Sequence, residues 1–113
     1  MSKPLTLFML LASQASWLQL SRKARRDFIA AEVAPILARY PAVRLRFFDS
    51  EAFSGRCTDI AVWETRDLKS YSFLIDALRD TAFFAAPYFV VVDIIPALED
   101  SYADYDAAFA ESA

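Results

Sequence analysis

Val43 to Thr65 reads VRLRFFDSEAFSGRCTDIAVWET, and the fold follows from how that stretch is read. Its first run sets Val43, Leu45 and Phe47 against Arg44, Arg46 and Phe48. Its second, Cys57 to Thr65, sets Ile60 and Val62 against Asp59, Ala61 and Trp63. Successive side chains leave a strand on opposite sides, so this period of two predicts two strands, each with two unlike faces. The eight residues between them, Asp49 to Arg56, hold the only glycine, Gly55, and predict a polar turn. Pairing Phe48 with Cys57 would place Arg46 opposite Asp59, within cross-strand reach.

Outward from this hairpin the pattern changes to helical. Before it, Ser21 can cap a helix over about 22–40, because its hydroxyl can accept a free backbone N–H. Ile29, Val33, Ile36 and Tyr40 form that helix's apolar stripe. Pro35 lacks an N–H and predicts a kink or break, and Pro41 stops the helix. After the hairpin, Thr65 or Asp67 opens a second helix to about Arg79, with Leu68, Tyr71, Leu74, Ile75 and Leu78 on its buried side. Leu5 to Ala12 (LTLFMLLA) and Tyr88 to Ile95 (YFVVVDII) are strands apolar on both faces, the latter closed by Pro96. Ser13 to Leu20 and Thr81 to Pro87 read as connections.

The order is β-α-β-β-α-β. It predicts an α+β, ferredoxin-like domain over residues 1–97, with two helices on one face of a four-stranded antiparallel sheet ordered 4-1-3-2. Residues 98–113 form an acidic tail. Leu98, Tyr102, Tyr105 and Phe109 recur there at helical spacing, with Glu99, Asp104 and Asp106 off that stripe.

Composition bounds the partners. At 113 residues the chain is one domain, and 57% hydrophobic with 15% aromatic residues is more than its interior needs. The surplus predicts a covered surface, most simply a homodimer sealed by the helix-free sheet faces. Net charge is −3, and all 12 basic residues lie at or before Arg79. Only Arg22, Lys23, Arg25 and Arg26 cluster, too sparse a basic footprint for nucleic acid. Cys57 is the one cysteine, which rules out an intrachain disulfide and points to a reducing, cytoplasmic compartment. The apolar run near the start is short for a secretory signal, and no stretch approaches the length of a membrane span, so no membrane partner is expected.

RFFDSEAFSG (residues 46–55), VWET (62–65) and LRDTAFF with the following PYF (78–89) resemble the darcynin family of small bacterial proteins, from about Leu5 to Tyr102. The resemblance implies the fold; the family has no established activity. More distantly the pattern is similar to the dimeric α/β-barrel superfamily. That group spans cofactor-free monooxygenases, isomerases and cyclases, haem-handling proteins and non-enzymatic domains.

Absences narrow the chemistry. There is no histidine, hence no imidazole base or ligand, and a single glycine excludes phosphate-cradling loops. No metal and no cofactor is expected. Arg46 and Asp59 read as an orienting charge pair in a cavity or as a structural ion pair at a sheet rim. Asp49 and Glu51, with Ser50 and Ser54, read as an acid/base pair or as turn acids bonded to local N–H groups. Trp63, Tyr71 and Arg79 could line a helix–sheet pocket for a flat, partly polar ligand, or be ordinary core. Cys57 reads as a small apolar residue.

Two functions fit these residues. One is a cofactor-independent enzyme acting on a small aromatic or polyketide-like molecule. In it Tyr71 donates a proton or hydrogen bond, Arg79 or Arg46 steadies an enolate, and Trp63 stacks on the ring. The other is a non-catalytic ligand-binding or interaction dimer. A pocket with the Tyr71 hydroxyl and an arginine converging on it would separate the two.

Overall fold

A computed structural model describes residues 3–109. Four antiparallel strands, β1 (Leu5–Ser13), β2 (Val43–Asp49), β3 (Asp59–Thr65) and β4 (Phe89–Leu98), form one sheet in the order β2-β3-β1-β4. This is the expected 4-1-3-2 arrangement. Short helices fill the two stretches read as connections: α1 (Ala15–Leu18) after β1 and α5 (Ala82–Ala85) before β4.

The first long helix runs as α2 (Arg22–Phe28), a widened π turn (Ile29–Val33) and α3 (Ala34–Arg39). Pro35 explains the widening. It offers no N–H to the carbonyl of Ala31, and its ring would press on that carbonyl in a regular helix. Opening the preceding turn to a π geometry relieves the clash without ending the helix. Ser21 caps α2 as expected, its hydroxyl accepting the Ala24 N–H at 3.0 Å. Ser21→Ala should therefore cost about 1 kcal/mol in urea unfolding, and Ser21→Gly only a few tenths.

Asp67 caps α4 (Leu68–Arg79) by accepting the Ser70 N–H, and bonding to Ser70 holds its carboxyl below the usual range. Leu74 and Leu78 of this helix are buried against the sheet. They meet Leu7, Met9 and Leu11 of β1 and Ala61 and Trp63 of β3 in one core. The alternation read from β3 holds, with Asp59, Ala61, Trp63 and Thr65 buried on the helix side.

Two readings are corrected. Pro96 does not close β4, which continues to Leu98 with Pro96 opposite Leu7. Since β4 is an edge strand, a proline's missing N–H can fall on the unpaired side. The hairpin register also differs by three. Phe48 pairs with Ile60 and Arg46 with Val62, so Arg46 does not face Asp59; Asp49 does. The turn is longer because it closes Ser50 onto Thr58, through the Ser50 N–H to the Thr58 carbonyl at 2.8 Å. Thr58 is also drawn to β1, donating its N–H to the Leu11 carbonyl and accepting the Ser13 N–H at its hydroxyl. A register slip by an odd number moves a side chain to the other face, which is why the expected pair is split.

Among the described residues, no helix covers the opposite face of the sheet. Phe8, Phe48 and Ile95 stand exposed there, with Arg44, Arg46 and Glu64 toward one end. The last helix, α6 (Ser101–Phe109), buries no residue. Leu98, read with it by spacing, belongs to β4.

Candidate functional site

Between helices and sheet lies an apolar cavity of about 330 Å3. Its floor is Leu45 and Phe47 of β2, Ala61 and Trp63 of β3, and Phe89 of β4; Ile29, Val33 and Leu37 bound it from the first long helix. Leu78, Phe83 and Trp17 complete the wall. The strand residues project here because they occupy the helix-facing positions of their ladders. Phe83 and Phe89 stack at 4.7 Å between centroids, and Trp17 tilts against Phe89 at 5.1 Å. Both tryptophans of the chain are therefore wall residues.

One row further along the ladder, about 7 Å from Ala61 and Phe47, Asp49 and Asp59 stand directly opposite one another on the same face. Asp59 is 8% exposed, and its carboxylate accepts the Thr58 hydroxyl at 2.7 Å. Burial pushes its carboxyl up to about 6; the Thr58 bond opposes that rise, and Asp49 and Glu51 add to it. A carboxyl held there can exchange a proton near neutral pH, the property required of an acid/base group. Cys57 is buried beside this pair, its sulfur 3.3 Å from the Ser50 hydroxyl.

The expected site residues separate into four places. Trp63 lies on the cavity wall, with its indole N–H unpaired among the described residues, and meets the ring of Tyr71 at 67° with 6.1 Å between centroids. Tyr71 is half-buried behind it, and burial raises its hydroxyl's pKa. Arg79 stands exposed at the end of α4, 3.9 Å from Asp76. Arg46 is on the helix-free face, its guanidinium 5.1 Å from the centre of the Phe48 ring. Asp59 is with Asp49 at the hairpin end. No arginine is among the cavity's lining residues, so the convergence of Tyr71 and an arginine does not form there. Phe47, Phe83, Phe89 and Trp17 were missed as wall residues. Phe47 was legible from its strand parity, whereas Trp17 and Phe83 sit on one-turn helices that periodicity does not detect.

The wall offers no side-chain oxygen or sulfur, its only heteroatoms being indole N–H groups, and the chain has no histidine. A haem iron would find no axial ligand there. No helix among the described residues is long and apolar enough to cross a membrane.

Comparison with known proteins places this geometry. A family model described as "Darcynin, domain of unknown function" matches residues 1–111. The chain is 57% identical over 77 residues to the darcynin of Chromobacterium violaceum, a match covering 68% of this chain and 98% of that one. It is 49% identical over 88 residues to darcynin 1 of Acinetobacter baumannii, covering 78% and 98%. Among solved structures, a variant chlorite dismutase from Candidatus Nitrospira defluvii superposes with a TM-score of 0.73 at 20% identity, over 87% of this chain. A dimeric chlorite dismutase from Nitrobacter winogradskyi does so at 0.64 and 14%, over 83%. The chain spans 41% and 56% of those longer chains, and the likeness is one of fold.

Proposed function

The chain belongs to the darcynin family, and on that footing we propose that it binds a small, flat, largely apolar molecule in the helix–sheet cavity, without a cofactor. The observation that carries this reading is the cavity itself, about 330 Å3 walled by two tryptophans, three phenylalanines and aliphatic side chains. Ligand sites have this character: apolar walls of a few hundred Å3 with few polar groups. An aromatic or polyketide-like ring system suits it, because such rings bury area against aromatic faces at little entropic cost. Trp63 keeps the stacking role read from the sequence. Tyr71 supports the Trp63 ring from behind.

A second reading adds chemistry, and Asp59 favours it. In that reading Asp59, outside the cavity's lining but one row away on the same sheet face and with its carboxyl raised to about 6, takes a proton from a bound carbon acid and returns it elsewhere on the ligand. That isomerase-type exchange consumes no oxidant or reductant. The non-catalytic binder remains the alternative, and it differs only in Asp59 having no effect on bound ligand.

We further infer that two copies pair through their helix-free faces, in a cytoplasmic setting suited to a buried free thiol. Phe8, Phe48 and Ile95 leave an apolar face there that association would cover. A structural relative is itself described as dimeric.

Because both tryptophans line the cavity, binding can be read from intrinsic fluorescence. Titration with 1-nitronaphthalene, an unreactive indole quencher, should quench saturably. Ala61→Leu places three further carbons on the cavity floor and should weaken that binding by about tenfold or more, a change of ~1.4 kcal/mol. Val33→Phe, filling from the helix side, serves as the second variant. Linear, unsaturable quenching that is the same in all three proteins would dispose of the cavity as a ligand site.

A further inference from the structure

The helix α6 presents a physical problem. It is nine residues long, none of them is buried, and Tyr102 and Tyr105 are 67% and 68% exposed. A lone helix of that length is marginal in water and persists only where it packs. Asp100, in the left-handed region at φ 46°, turns the chain sharply after β4, and the molecule extends to 61 Å along its longest axis. Its radius of gyration is 16.9 Å, against about 13 Å for a compact domain of this length. The base of the helix is nonetheless fixed. Lys3 donates to the carbonyls of Glu99 and Asp100 at 3.0 and 3.1 Å and lies 3.9 Å from the Asp104 carboxylate.

A receiving surface lies on the helix-free face of the same sheet. An open groove of about 430 Å3 there includes Phe8, Val62, Arg44 and Arg46. The register sets Leu98, Leu5, Thr65 and Val43 in one row, so α6 leaves the sheet at the same end where Arg44 and Arg46 stand. The two lie at opposite edges, α6 beyond β4 and the arginines on β2. When two such sheets stack face to face about a two-fold axis parallel to the strands, each β4 lies over the partner's β2, at the same end. The charges agree. The chain carries no basic residue after Arg79, and α6 bears Asp104 and Asp106.

We propose that α6 is exchanged between two copies of this chain, each laying Tyr102 and Tyr105 into the other's groove with its acids toward Arg44 and Arg46. This rests on the face-to-face dimer inferred above. The exchange explains why the helix is tethered at its base, unpacked on its own protomer and acidic. It also adds the aromatic anchors that the sheet faces lack at that end.

Sedimentation equilibrium tests it. The chain should dimerise, and truncation after Asp100, which keeps the carbonyls held by Lys3, should weaken the dimer by about thirtyfold or more, the loss of a ~2 kcal/mol anchor. Tyr102→Ser with Tyr105→Ser in the full chain should do the same, and so should Arg44→Glu with Arg46→Glu. Mixing is decisive. The truncated chain keeps a good groove and the Arg44→Glu, Arg46→Glu chain keeps a good helix, so a mixed dimer recovers one contact that neither homodimer has. It should form in preference to both. A full chain that dimerises no more tightly than the truncated one overturns the exchange but leaves the sheet-face dimer standing. Absence of any mixed-dimer preference also overturns the exchange. A monomeric full chain overturns both.

Discussion

Leu74→Ala is expected to destabilise the protein by about 2–5 kcal/mol. Leu74 is 0% exposed, on the sheet-facing side of α4, within the core that joins β1, β3 and both long helices. Truncation removes the transfer energy of the lost carbons and leaves a void that the two-layer packing cannot collapse onto, because a sheet is stiff across its ladder. At about 4–8 °C per kcal/mol for a domain near this size, the melting temperature should fall by roughly 10 °C or more. Urea titration checks it, with the midpoint moving and the slope unchanged. A loss below about 0.5 kcal/mol, ordinary for a surface site, would mean Leu74 is not in the core.

Asp59→Asn carries the second large effect, and its sign depends on pH. Because burial raises the Asp59 carboxyl from 3.8 to about 6, the folded chain holds a proton that the unfolded chain releases. Stability from this group is full below the unfolded value and is lost as pH rises through about 6. Two units of difference correspond to about 3 kcal/mol. Asparagine fits both neighbours without a charge, its carbonyl accepting from Thr58 and its amide donating to Asp49. Unfolding at pH 7.5 should therefore show the variant more stable by up to about 3 kcal/mol, with the gain vanishing near pH 4. A pH-independent difference would remove the buried carboxyl from the account.

How far the sequence led can be judged from particular residues. Strand parity at Asp59, Ala61 and Trp63, capping at Ser21 and Asp67, and prolines at the ends of helical runs were enough for the topology, including the sheet order. These are local signals, each fixed by backbone geometry. The site was less legible because it depends on register. Nothing local tells that Thr58 will serve β1 rather than β2, and that one choice decides that Asp59 meets Asp49 instead of Arg46. Helical spacing put Arg79 near the buried side of α4, but the helix ends there and the guanidinium turns outward to Asp76. The cavity's far wall came from Trp17 and Phe83, held by one-turn helices whose position only tertiary packing sets.

β1 lies between β3 and β4, and its partners are remote: Leu5 pairs with Thr65 on one side and Leu98 on the other. A ribosome delivers Leu98 long after Leu5. At about 5–20 residues per second, a strand apolar on both faces waits roughly 5–20 s for its second neighbour. Until residues 89–98 have cleared the exit tunnel the sheet has no closed edge on that side, and the hairpin and α4 can dock on β1 only as a three-stranded intermediate. The nascent chain's demand for chaperone cover is therefore greatest at β1, whose Leu7, Met9 and Leu11 are among the most protected side chains of the finished protein.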